Sequence, residues 1–242
     1  MCRAARLLSM CTALVAGMSI SAQTQASQIP TWDDRPRAPV GEQLPGMPSR
    51  FWVQLIGGPS GLPDHERLIV LTTDGRVLGA VEGDNNAVRF PPVVDAMLEA
   101  GSLRVVLAHN HPASTGLSGA DLVLLGRPGV ERVVAVGNDG SVYEATAGRR
   151  FVQESTIVTL FPEIEARVRE RLPLEAARAG VPAGAGFEFF SHIVASVFAR
   201  AGVIDYRSRM SASVMARYLP DSTWLDRLVS TEASRLMVQL PR

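Results

Sequence analysis

Leu103-Arg104-Val105-Val106-Leu107-Ala108-His109-Asn110-His111-Pro112 runs on through Ala113-Ser114-Thr115-Gly116-Leu117 into Ser118-Gly119-Ala120-Asp121. Residues 103–108 are apolar almost without alternation, the pattern of a strand buried on both faces of a sheet. A polar loop follows, and a helix is expected over 119–126. Side chains alternate along a strand with period two, so His109 and His111 point the same way and can serve one metal ion. Asp121 lies ten positions after His111, in the first turn of the helix, where a turning loop can return its carboxylate to the same ion. Two histidines and one carboxylate leave a fourth position open, the pattern of a catalytic rather than a structural zinc site. Ser118 and Asp121 also read as a capping box, and the paired histidines can equally be loop residues bonded to backbone groups.

Working outward, residues 51–56, 68–72 and 76–81 read as strands, the last two joined by the hairpin turn Asp74-Gly75. Pro91-Pro92 opens a short helix over 93–100 that Gly101 ends. Strands 132–136 and 141–145 flank Asn138-Asp139-Gly140. Strands and helices interleaved within about a hundred residues indicate an α/β or α+β sandwich. After Phe151 the strand signals stop, and helices are expected over 162–172, 187–204, 207–218 and 221–237, with Asp221 capping the last. Pro173, Gly180, Pro182, Gly184 and Gly186 are read as a break after the first of these. The expected architecture is therefore an α/β sheet with flanking helices and a C-terminal all-α appendage, divided at residue 152/153.

The chain has 242 residues, 46% of them hydrophobic, enough apolar surface to fold on. Its 24 basic and 24 acidic side chains cancel, and every basic one is arginine. This balance gives no electrostatic pull toward nucleic acid or an anionic membrane. Residues 1–26 have the layout of a secretory signal peptide: Arg3 and Arg6, an apolar run over 7–20, then small residues with cleavage expected after Ala22 or Ala26. The apolar run is shorter than the ~20 residues of a membrane helix. Cys2 and Cys11 both fall in this segment, so the exported form, periplasmic or secreted, is expected to lack cysteine. Residues 27–50, with five prolines (30, 36, 39, 45 and 48), read as a linker.

The quoted stretch resembles the signature of the JAB/MPN (JAMM) metalloprotease family: an upstream Glu, then His-x-His, seven residues, Ser, two residues, Asp. The His-Asn-His-Pro sequence after an apolar strand, with Phe90-Pro91 before a helix, is most similar to the RadC-like branch. The resemblance spans about residues 51–150 and departs in one place, since six residues rather than seven separate His111 from Ser118. It implies a JAB/MPN-like (cytidine-deaminase-like) domain over 51–152. Zinc would be held by His109, His111 and Asp121, lowering the pKa of a bound water from ~15.7 toward ~7. Glu82, at the end of the strand over 76–81, would serve as general base and then acid. Glu66 is the alternative, placed before a strand rather than at its end. Ser118 would donate a hydrogen bond to the developing oxyanion. The implied activity is hydrolysis of a peptide or isopeptide bond in a peptide or protein substrate.

The competing class is a catalytically inactive JAB-like interaction module whose C-terminal helices bind a protein partner. A role in DNA metabolism, which the RadC-like resemblance also suggests, is disfavoured by the balanced charge and the signal peptide. His192 is read as a core or interface histidine and His65 as a solvated turn residue. Phe187, Phe189, Phe190 and Phe198 are read as a helix-packing face.

Overall fold

The computed structural model describes residues 64–83, 92–150 and 153–240. The signal peptide, the linker, the strand expected over 51–56 and the Phe90-Pro91 helix start lie outside them. Strands β1 (Arg67–Thr72) and β2 (Val77–Glu82) form the expected hairpin. Gly75 takes φ 90° at its turn, a left-handed conformation that costs glycine little. Helix α1 (Pro92–Glu99) precedes β3 (Val105–His111), then come α2 (Gly119–Leu125), β4 (Val130–Gly137) and β5 (Val142–Ala147). Helix α3 (Glu154–Arg178) leads through a 3₁₀ turn (Phe187–Phe189) to α4 (Phe190–Arg200), β6 (Ile204–Arg209), α5 (Ala212–Tyr218) and α6 (Ser222–Gln239).

The six strands form one mixed sheet in the order β2-β1-β3-β4-β5-β6. Only β3 and β4 run parallel, with α2 in the crossover between them. One face of the sheet, with Leu68, Val70, Val105, Leu107, Val133, Ala135 and Tyr143, packs with residues from all six helices into one continuous core. The other face gathers Ile69, Leu71, Ala108, Val134, Val136 and Val142, and among the described residues that cluster contains strand residues only. Both parities of β1 and β3 are therefore buried, which is why their sequences show no alternation.

The C-terminal region corrects the expectation of an all-α appendage. Ile204–Arg209 is a strand, paired antiparallel with β5 from Ile204↔Ala147 to Arg209↔Val142. Its signal is brief: Ile204 is buried and Tyr206 half-buried, while Asp205 and Arg207 between and after them are exposed. The helical readings of 187–204 and 207–218 ran over this segment from both sides. The hydrophobic core is continuous across residue 152/153, since Ile157, Ile164, Phe198, Leu225 and Leu228 belong to the cluster that covers the sheet.

Helix α3 is also longer than the 162–172 expected, and it carries Pro162 and Pro173 inside it. Each proline removes one backbone donor and costs about 3 kcal/mol in a helix interior. The stripe Ile157, Leu160, Ile164, Val168, Leu172 and Ala176, spaced by three and then four residues, is buried against the core. At about 1.5–3 kcal/mol per large side chain, its burial outweighs both prolines. Among the described residues no helix is long and apolar enough to cross a membrane.

Candidate metal centre

His109 and His111 are the last inward-facing residues of β3. His109 is cross-strand partner to Leu68 on β1 and Ala135 on β4, both in the helix-side core, so the imidazoles project under the helices. Both are buried, as is Asp121 in the first turn of α2. The two Nε2 atoms lie 2.9 Å apart, His109 Nε2 is 3.0 Å from Asp121 Oδ1, and His111 Nε2 is 3.5 Å from Asp121 Oδ2. A tetrahedral zinc with bonds of ~2.0–2.2 Å sets its ligand atoms about 3.3–3.5 Å apart. The group is thus close to the size of such an ion and fits it with side-chain shifts of a few tenths of an ångström. His109, His111 and Asp121 form a buried, closely grouped set of side chains that could hold a metal ion.

The surroundings fix each side chain. His111 Nδ1 donates to the Thr115 carbonyl at 3.0 Å, which leaves its Nε2 facing the group. Asp121 Oδ2 accepts from the Ser118 backbone N–H at 2.6 Å and from Ser118 Oγ at 2.7 Å. The capping box is therefore present in full, and it orients the carboxylate as well as starting the helix. Ser118 is brought to the group, with its hydroxyl proton directed at Asp121. Burial opposes charge on His111, but the Asp121 carboxylate outweighs it and raises the imidazole to about 9. Burial likewise opposes charge on Asp121, yet the two imidazoles hold it well below the usual carboxylate range. An entering metal ion must displace that proton.

Glu82 is not brought to this group. It pairs with Arg67 across the β1–β2 hairpin, and Arg67 faces away from Leu68 and therefore away from His109. Its carboxylate, mostly exposed, accepts from Arg67 Nε at 2.9 Å and bonds His65 Nε2. Burial is the largest single influence and raises its pKa, but Arg67 and His65 together lower it more, leaving it below the ordinary value. His65 is partly exposed, as a solvated turn residue would be, and is also ion-paired with Asp64 and Glu82.

Glu66 has the parity that Glu82 lacks. The β1–β3 pairing ends at Leu68 and His109, and the same register carried two residues beyond that pair would set Glu66 opposite His111. Its charge helps to raise the His111 pKa. Asn110, wholly buried on the opposite parity of β3, holds this stretch in place: its Oδ1 accepts from the Arg67 N–H at 2.6 Å and its Nδ2 donates to the His65 carbonyl at 3.0 Å. The residue between the histidines thus clamps the backbone on either side of Glu66.

The six-residue loop from Pro112 to Leu117 closes because it is pinned twice. Ser114, the one non-glycine residue with positive φ (55°) among the described residues, accepts from the Asp139 N–H at 3.0 Å. Gly116 packs on the start of α4, where a Cβ would lie 3.0 Å from His192 N and 3.3 Å from His192 Cα. Helix backbone cannot yield as a side-chain tip does. Gly116→Ala is expected to shift the neighbouring Thr115 carbonyl off His111 and to weaken zinc binding about tenfold or more. Competition with a chromogenic chelator measures this, with an unchanged far-ultraviolet circular dichroism spectrum as the control for folding.

His192 itself lies outside the metal group, and its Nδ1 is 3.0 Å from Tyr206 Oη. It packs edge-on to Tyr218 and near Tyr143, and the Arg200–Asp226 ion pair lines the same cavity. Burial lowers its pKa to about 4. The unfolded chain takes up this proton near pH 6.5 and the folded chain only near 4, so the contribution of neutral His192 is complete above pH 6.5 and is lost as pH falls toward 4. The loss amounts to about 3 kcal/mol. Urea denaturation at pH 7 and pH 4.5 is expected to show a steeper loss in wild type than in His192→Asn.

No protein-family model, curated protein or solved structure matches the chain.

Proposed function

We propose that the protein is an exported zinc-dependent hydrolase of peptide or isopeptide bonds, built on a JAB/MPN-like site. The observation that carries this reading is the meeting of His109, His111 and Asp121 in one buried group, with the charge of Glu66 acting on His111. Zinc held there by His109, His111 and Asp121 would supply a Lewis acid for the scissile carbonyl and would lower the pKa of water at the site. His111 presents Nε2 because the Thr115 carbonyl holds its other nitrogen, and Asp121 presents Oδ1 because Ser118 occupies Oδ2. Glu66, which immediately precedes β1 and whose charge acts on His111, takes the part of general base, receiving a proton from water and passing it to the leaving amine. This replaces the assignment to Glu82, which faces the other way. Ser118 acts first by orienting Asp121, and its hydroxyl would be available as a hydrogen-bond donor to a substrate oxyanion if rotated off the carboxylate.

A screen of zinc-loaded protein against a mixed peptide library, with cleavage read by mass spectrometry, tests the activity. Cleavage is expected that is abolished by chelation, restored by zinc and absent in Asp121→Ala. Stoichiometric zinc binding with no cleavage of peptides or isopeptides would favour the inactive interaction module instead.

A further inference from the structure

On the far side of the helical layer, α3 and α6 enclose a cleft of about 370 Å³ lined by Arg167, Arg171, Arg178 and Arg235, with Glu170 and Leu174. Arg167 stands ten residues beyond Ile157, so at 1.5 Å per residue the cleft lies about 15 Å along α3 from the turn that packs near α2. It is a separate place from the metal group.

The cleft is organised from beneath by one carboxylate. Glu232 has no exposed surface and receives Arg167 Nε, Arg171 Nη1 and Arg235 Nη1, each at 3.0 Å. Glu175 accepts from Arg171 Nη2 at 2.8 Å and Arg178 Nη1 at 2.7 Å. Glu163 approaches Arg167 at 3.8 Å. Carboxylates therefore balance the guanidinium charge, but they do not use up its donors. A guanidinium carries five N–H groups in a planar fork, and four of them far exceed what these contacts consume. Arg167 Nη2 is the telling case: it is buried and has no hydrogen-bond partner. A buried charged donor without an acceptor is costly; having no accessible surface of its own, Nη2 reaches an oxyanion in the cleft when the Arg167 guanidinium, which lines the cleft, turns toward it.

We propose that this cleft binds a phosphate group, free or carried on a lipid headgroup. Tetrahedral phosphate offers acceptors in several directions and suits converging guanidinium forks better than a planar carboxylate does. Glu232 and Glu175 hold the arginines in place before the ligand arrives, which limits the side-chain entropy lost on binding.

The test uses the whole protein and two variants, Arg178→Gln and Arg235→Gln, whose exposed side chains can be changed without stripping Glu232 of its other partners. Inorganic phosphate at 10 mM, against chloride at matched ionic strength, is expected to raise the melting temperature by about 3 °C for millimolar affinity. Both variants are expected to lose most of that shift. If the physiological source is a headgroup, the protein pellets with phosphatidylcholine vesicles containing phosphatidylglycerol and not with phosphatidylcholine alone, again less so in the variants. Neither a phosphate shift nor selective pelleting, or effects of equal size in the variants, would overturn the proposal.

Discussion

Glu66→Gln is expected to abolish hydrolysis while leaving zinc in place. A general base contributes about 10²–10⁴-fold, so turnover of a cleaved peptide should fall at least a hundredfold. The metal content should be unchanged, because the three candidate ligands lie on β3 and α2 and Glu66 is not among them. Glu82→Gln is the matched control. Its carboxylate sits on the other side of the sheet with Arg67 and His65, and its loss should alter turnover by no more than about twofold. Steady-state turnover and metal analysis on the same preparations decide the matter. The reverse pattern, with Glu82→Gln inactive and Glu66→Gln active, would show that the parity argument fails in the active protein.

The largest stability effect is expected at Glu232. It is the one wholly buried carboxylate among the described residues, and Glu232→Ala would leave Arg167 and Arg171, both largely buried, without their shared acceptor. Removing one partner from a buried ion pair costs about 3–5 kcal/mol, and the partial exposure of the arginines places this case near the lower end, at about 3 kcal/mol. For a domain of this size that lowers the melting temperature by roughly 6–12 °C. Urea denaturation of Glu232→Ala and Arg235→Gln separates burial from charge pairing. The exposed arginine should cost less than about 1 kcal/mol, and equal losses in the two would contradict the network as described.

The candidate ligands were legible because each announces itself locally. His109 and His111 share a face through strand parity alone, and Asp121 is fixed by its spacing from Ser118 in a capping box that the structure contains. The proposed base was not legible in the same way. Choosing between Glu66 and Glu82 requires knowing which side of β1 faces the histidines, and β1 is apolar on both sides, so Leu68 and Val70 cannot be told from Ile69 and Leu71 by pattern. Only the pairing of Leu68 with His109 supplies the parity. Asn110 was likewise silent, since a lone polar residue between two histidines gives no sign of the backbone 45 residues upstream that it holds. The six-residue loop looked like a departure from a longer pattern. Its closure depends on Gly116 meeting α4, a contact supplied by the region that the sequence presented as an appendage. Strand β6 was hidden for a related reason: six residues between two helices carry too short an alternation to stand out from helical periodicity on either side.

The account rests on His109, His111 and Asp121 holding one metal ion. Metal analysis of the purified protein after zinc loading and exhaustive dialysis tests this most directly, with Asp121→Ala and His109→Ala treated in parallel. The account predicts one zinc per chain in wild type and about none in either variant. No retained zinc in wild type, or the same content in all three, would contradict it.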